Sequence, residues 1–165
     1  MIKIMGTGSR QMLLHPDRKE IYTELEEYIL ITQQIHGEVL LISGMAEGWD
    51  EAIAKVGMRN NIPYHCCIPN PGYGSYYWGK NSLLKKDRMD TFNELVANAT
   101  SVEYITQGLY VNGVHANFVR NEAMVDQADM ALVYDATSSG TKHCVTVLRD
   151  KGVPFIIYPF EEQGK

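Results

Sequence analysis

Glu47 is a carboxylate held between two glycines, in the run Gly44-Met45-Ala46-Glu47-Gly48-Trp49-Asp50. Glycines at both ends let the chain turn sharply and let a ligand approach the backbone. A carboxylate in such a turn has the chemistry to bind a ribose hydroxyl, or to act as nucleophile or general base at a sugar carbon. The plain alternative is a surface glutamate with no role. Asp50 is either a helix cap or a ligand contact. Two further runs carry similar chemistry. In Gly6-Thr7-Gly8-Ser9-Arg10 the planar fork of Arg10 suits a phosphate or carboxylate; the alternative is an exposed surface arginine. This run lacks the third glycine of a dinucleotide fingerprint and is not a Walker A loop. Asp135, followed by Thr137-Ser138-Ser139-Gly140-Thr141, offers hydroxyls and backbone N–H groups that together make a phosphate cradle. Simple capping by Ser139 or Thr141 is the competing reading.

Other residues join these less directly. Arg120-Asn121 either holds a ligand or forms a structural salt bridge. Tyr73, Tyr76, Tyr77, Trp78 and Tyr110 fall in glycine-rich loops, where aromatics stack on a base or pack over a sheet edge. His65, His115 and His143 show no metal-ligand spacing, so neither a metal nor a cofactor is expected. No nucleophile elbow or Ser-His-Asp order is readable.

The elements that must position these groups follow from periodicity. Apolar runs at 2–6, 38–43, 63–68, 101–106, 130–134 and 155–158 read as strands. Between them, 18–36, 49–60, 83–97, 115–127 and 142–151 read as helices, the first opened by Asp17 and closed by Gly37. Residues 69–82 and 107–114 read as loops. Alternation at this spacing predicts an α/β, single-domain, Rossmann-like three-layer fold over residues 1–165, with a mainly parallel sheet. Ligands of such sheets bind outside the carboxyl ends of the strands, where the three turns fall. Each turn leads into a helix, whose N–H groups and dipole favour an anion.

Composition narrows the class. The 165 residues are 45% hydrophobic with a formal charge of −5. Net acidity counts against nucleic acid as a partner, because binding it needs a basic face. Lys80, Lys85, Lys86 and Arg88 lie close together and read as a solvated helix face, the alternative being a local basic patch. Cys66, Cys67 and Cys144 are odd in number and read as reduced, buried residues of a cytoplasmic protein. No segment approaches the roughly 18 apolar residues of a membrane span, and no signal peptide is readable.

Taken in order, Gly8-Ser9-Arg10, Ser43-Gly44-Met45-Ala46 with Gly48 and Asp50, Arg120-Asn121, and Ser139-Gly140-Thr141 resemble the SLOG superfamily, named for the Smf/DprA and Lonely Guy proteins. Trp78 with Asn81, and Arg120-Asn121 preceding Met124-Val125-Asp126, bring the likeness nearest to its YpsA-like branch. The resemblance spans nearly the whole chain. It implies a Rossmann-like fold that binds nucleotides or nucleotide-derived ligands, and a homo-oligomer. Lonely Guy enzymes cleave the N-glycosidic bond of a nucleoside monophosphate, and a glutamate closely follows their last Gly-Thr motif. Here Gly140-Thr141 is followed by Lys142-His143, so Glu47 would have to substitute.

The function expected from sequence is therefore binding of a nucleotide or nucleotide-derived phosphate ligand, as a sensor or sequestering module. The alternative is a nucleotide N-glycosidase, a phosphoribohydrolase-like enzyme with Glu47 catalytic. Phosphate would sit on Ser139, Gly140 and Thr141 beside Asp135. Gly8, Ser9 and Arg10, with Gly44, Met45, Ala46, Gly48 and Asp50, would frame the sugar. Trp78 and the aromatic loop would cover the base, and Arg120 and Asn121 would hold the ligand. A protein-interaction domain using the aromatic loop is a third reading.

Overall fold

The structure, a computed structural model, describes residues 1–107 and 113–160. Six strands form one parallel sheet: β1 (Ile2–Gly8), β2 (Val39–Ser43), β3 (Tyr64–Ile68), β4 (Ser101–Tyr104), β5 (Met130–Tyr134) and β6 (Phe155–Ile157). Five α-helices connect them: α1 (Arg18–His36), α2 (Trp49–Asn60), α3 (Met89–Ala97), α4 (Gly113–Gln127) and α5 (Ser139–Asp150). The spatial order is β4-β3-β2-β1-β5-β6. The chain winds outward from β1 to β4, crosses back, and continues from β5 to β6. The direction of winding therefore reverses between β1 and β5, and a crevice opens outside their carboxyl ends.

Side chains alternate across the sheet, as the strand period of two requires. Ile4, Leu41, Cys66 and Leu132 face one apolar layer with Leu25, Ile29, Trp49, Ile53 and Phe92 from α1, α2 and α3. Met5, Ile42, Cys67 and Val133 face the other, with Met124, Cys144 and Leu148 from α4 and α5. This is the three-layer α/β fold the alternation predicts. Trp49 ties the first layer to the centre of the sheet: its indole N–H donates to the Leu132 carbonyl at 2.9 Å and its ring stacks on Tyr134.

Several boundaries differ from the sequence expectation. The helix expected at 83–97 starts only at Met89. Lys85 sits at φ 54°, and the Asp87 carboxylate accepts the Met89 N–H at 2.8 Å. Asp17 precedes α1 but makes no side-chain cap; its N–H donates to His15 Nδ1 instead. The stretch expected as an open loop at 69–82 contains a short π-helix, Ser75–Lys80. Gly37 does close α1, with φ 85° and its N–H on the Gln33 carbonyl. Tyr110, and most of the loop expected at 107–114, lie outside the described residues. Among the described residues no helix is long and apolar enough to cross a membrane.

Candidate functional site

The crevice at the winding reversal is a cleft of about 370 Å³. β1 ends into it through Thr7, Gly8 and Ser9, and the 3₁₀ turn Arg10–Leu14 that follows supplies Arg10 and Gln11. Gly8 is required here by packing, since a Cβ on it would lie 2.6 Å from the Trp49 Cβ. Ala46 and Asp50 come from the turn after β2, and Ser138, Ser139, Gly140 and Thr141 from the start of α5. Asn117, Phe118, Arg120 and Asn121 come from α4, and Tyr73 and Tyr77 from the aromatic segment.

The amides at the start of α5 form the open donor set. Ser138 holds the N-cap position, yet its hydroxyl makes no cap bond and donates sideways to Thr141 Oγ1 at 2.9 Å. Neither Ser139 nor Thr141 is the cap. The positive end of a three-turn helix thus faces the cleft without a side-chain acceptor, the arrangement that holds anions. Arg10 reinforces it. Its guanidinium lies 5.5 Å from the Tyr77 ring centre, and its Nη1 is buried without a hydrogen-bond partner. Arg120 is anchored by donating to the Gly44 carbonyl at 2.7 Å, with its guanidinium 5.8 Å from the Tyr73 ring centre. Asn121 donates to the Gly140 carbonyl at 3.2 Å, joining α4 to the start of α5.

Asp50 is 4% exposed, and its Oδ1 also lacks a hydrogen-bond partner. Burial pushes its carboxyl up to about 6, against the opposing pull of the Arg120 charge and the Ala46 N–H. Unpaired buried polar groups cost stability and are rare, and two in one cleft make it the candidate site of the molecule.

The turn after β2 does not form the anion cradle expected of it. Its amides are consumed internally: Met45 N–H donates to Ser43 Oγ at 3.1 Å, Ala46 N–H to Asp50 Oδ2 at 3.5 Å, and Gly48 N–H to Glu51 Oε1 at 3.2 Å. Gly48, at φ 86° with its Cα against the Arg10 backbone, lines an outer groove rather than the cleft. Met45 is fully buried at φ 59°, and its carbonyl accepts the Trp78 indole N–H at 2.8 Å. Trp78 is thereby a core residue, packed on Phe92 and covered by Arg88. Asp135 turns back on its own chain and accepts both the Thr137 N–H and hydroxyl.

Glu47 points away from the cleft. It is 1% exposed and accepts from Ser82 Oγ at 2.6 Å, Leu83 N–H at 3.0 Å and Arg88 Nη1 at 2.7 Å. Arg88 also forks onto both oxygens of Glu51 at 3.1 and 2.5 Å, and Lys55 joins Glu51 at 2.8 Å. Burial alone would raise Glu51, but Arg88 and Lys55 hold it below the usual carboxylate range. A carboxylate buried to this degree, held by three donors and outside the cleft lining is not presented to a sugar carbon there. The glycosidase reading therefore lacks its proposed catalytic group. Arg88 likewise leaves the surface cluster it was grouped with, since Lys80, Lys85 and Lys86 are exposed and Arg88 is buried.

Sequence reasoning missed Gln11, Asn117 and Phe118 as lining residues. One signal was present: Asn117 lies three and four residues before Arg120 and Asn121, on the same face of a helix.

No protein-family model matches the sequence, and no curated protein matches it either. The fold is similar to that of DNA processing protein A from Helicobacter pylori, a structure described for its unique single-stranded DNA binding mode. The TM-score is 0.61, with 15% identity over 94% of this chain and 64% of that one. It is also similar to DNA processing protein A (DprA) from Streptococcus pneumoniae, with a TM-score of 0.63 and 17% identity over 95% of this chain and 50% of that one. The chain therefore spans about half to just under two thirds of the length of these proteins, and at such identity the likeness is one of fold. It agrees with the SLOG resemblance at that level. It overturns two expectations: that the ligand is a small nucleotide held by a sensor or cleaved by a glycosidase, and that net acidity counts nucleic acid out. The fault in the second lies in the physics used. Net charge sums the whole surface, whereas a strand meets only the local field.

Proposed function

We propose that the protein binds single-stranded DNA across the carboxyl edge of its sheet. One observation carries the reading: the buried, unpartnered Nη1 of Arg10 beside the uncapped start of α5, in a fold shared with DNA processing proteins. A backbone phosphate would accept from Arg10 and from the first amides of α5, and the half-buried Tyr77 ring would offer a face to an adjacent base. Stacking of this kind contributes about 1–3 kcal/mol per base without regard to sequence. An outer groove of about 550 Å³ is lined in part by the same 3₁₀ turn, and Arg18, Lys19 and Arg59 line it beside the paired Lys55 and Glu51. These cations supply the local positive field that continues the track beyond the cleft, although the chain as a whole is acidic. The ordered motifs from Gly8 to Thr141 support placing residues 1–165 as one domain in the YpsA-like branch of the SLOG superfamily. A cytoplasmic location goes with this reading, as do the three free, buried cysteines.

The test is fluorescence anisotropy with a labelled oligothymidylate and a duplex of equal length, at several salt concentrations. The expected result is preferential binding of the single strand that weakens as salt rises, with reduced affinity in Arg10→Ala. Equal affinity for duplex, or binding indifferent to Arg10→Ala, would overturn the assignment to this cleft.

A further inference from the structure

At the far edge of the sheet, β3 and β4 bring together three groups that linear spacing does not reveal. The parallel register sets His65 opposite Ser101 and Cys67 opposite Glu103. His65 and Cys67 lie two apart on one strand and so share a face. A ring nitrogen of His65, the Cys67 sulfur and a carboxylate oxygen of Glu103 all lie within 4.8 Å of one another. We propose that these three residues bind a borderline divalent transition metal ion of the zinc class.

The surroundings fit a ligand set. Ser101 Oγ lies 2.6 Å from His65 Nδ1 and fixes the ring, leaving Nε2 directed at Glu103 Oε1, 3.2 Å away. Metal-bound imidazoles are held in this way through their second nitrogen. Gln127, in the last turn of α4, is anchored on the Ala123 carbonyl at 3.1 Å. The same Nε2 lies 3.3 Å from Glu103 Oε1 and 3.8 Å from Cys67 Sγ, so its second N–H is shared between them. It supplies hydrogen bonds to the two ligands that carry negative charge when metal is bound. Zinc–nitrogen and zinc–sulfur bonds of about 2.0 and 2.3 Å place tetrahedral ligand atoms about 3.5 Å apart. His65 Nε2 and Glu103 Oε1, 3.2 Å apart, are near that spacing, the Cys67 sulfur lies within 4.8 Å of both, and the Glu103 side chain, 49% exposed, is able to swing to close the set. Thiolate, imidazole and carboxylate together select zinc or cobalt over calcium or magnesium. On binding, the Cys67 S–H bond breaks, a sulfur–metal bond forms and the proton passes to solvent. The fourth position faces water on the Glu103 side. An occupied site would link the edge strand β4, β3 and the end of α4, the helix that carries Arg120 into the cleft.

The experiment is titration of the chelator-treated full chain with Co²⁺, read by absorbance, followed by displacement with Zn²⁺. A single equivalent should give the visible bands of a four-coordinate ion and a near-ultraviolet thiolate-to-cobalt band. The thiolate band should vanish in Cys67→Ser and persist in Cys66→Ser, whose side chain faces the opposite layer of the core. Because Cys67 is buried, Glu103→Gln serves as a second variant: folded by circular dichroism, it should weaken Co²⁺ binding at least about tenfold. No thiolate band in the wild type, a band that survives Cys67→Ser, or unchanged affinity in Glu103→Gln would each overturn the site.

Discussion

Glu47 and Asp50 lie three residues apart, are both buried, and meet opposite fates. Glu47 is enclosed by Ser82, Leu83 and Arg88. Asp50 keeps one oxygen without a partner, and burial pushes its carboxyl up to about 6. The first lies in a closed ion network that pins the segment before α3 against α2. The second lies in a cleft with Arg10 Nη1, where polar groups have been taken out of water and left incomplete. A satisfied buried charge marks structure, whereas an unsatisfied one marks a place for something else. By this contrast the candidate site shifts from Glu47, the residue whose sequence context suggested chemistry, to its neighbours.

The contrast breaks most sharply at Arg88. Arg88→Met leaves Glu47 buried without a cation and Glu51 with Lys55 alone, and should cost about 3–5 kcal/mol in urea unfolding. A cost under about 1 kcal/mol would show that the network is not closed.

The next effect is at Asp50. Its folded-state value of about 6 lies above the ordinary 3.8. The folded state therefore holds the proton more tightly, and ionisation destabilises it. This penalty is absent below the unfolded value, grows as pH rises from about 4 to about 6, and reaches about 3 kcal/mol at neutral pH. Asp50→Asn should accordingly be the more stable protein at neutral pH and match wild type near pH 4. A constant difference between the two across this window would refute the assignment.

A smaller effect separates the two regions by function. Arg10→Ala should weaken single-stranded DNA about tenfold, or about 1.4 kcal/mol, and lower the salt slope by about 1. Its melting temperature should hold, since Nη1 has no partner to lose. Glu47→Gln should do the reverse, losing stability with DNA affinity unchanged. Equal loss of affinity in both variants would erase the distinction.

The smallest effect is expected at Gly140, where an added Cβ meets nothing within 4 Å. Gly140→Ala should raise stability by up to about 1 kcal/mol through helix propensity. If phosphate sits at the start of α5, the same methyl projects into its space and affinity falls. Unchanged affinity would move the phosphate off this helix end.

Much of the site was legible because its signals are local. Glycine and hydroxyl residues following apolar runs mark strand exits, and the parallel sheet gathers those exits at one edge. Arg10 and the 139–141 turn, which line the cleft, were picked out in this way, whereas Arg120 and Asn121 were picked out as a polar pair on a helix. Trp78 was misread because an indole in a glycine-rich segment looks alike whether it covers a base or donates to Met45. Arg88 was misread because spacing groups it with lysines, although its partners lie 41 and 37 residues away.

The sequence by itself determined the alternation of strands and helices, the parallel sheet and the edge at which the glycine-bearing turns gather. These depend on periodicity and turn chemistry, which act over a few residues. The tertiary structure decided which carboxylate is sealed and which is left unpaired, where positive charge gathers on an acidic chain, and that His65, Cys67 and Glu103 meet across two strands. Those outcomes depend on distances between residues remote in sequence. Electrostatics and hydrogen bonding respond to such distances, and no local pattern encodes them.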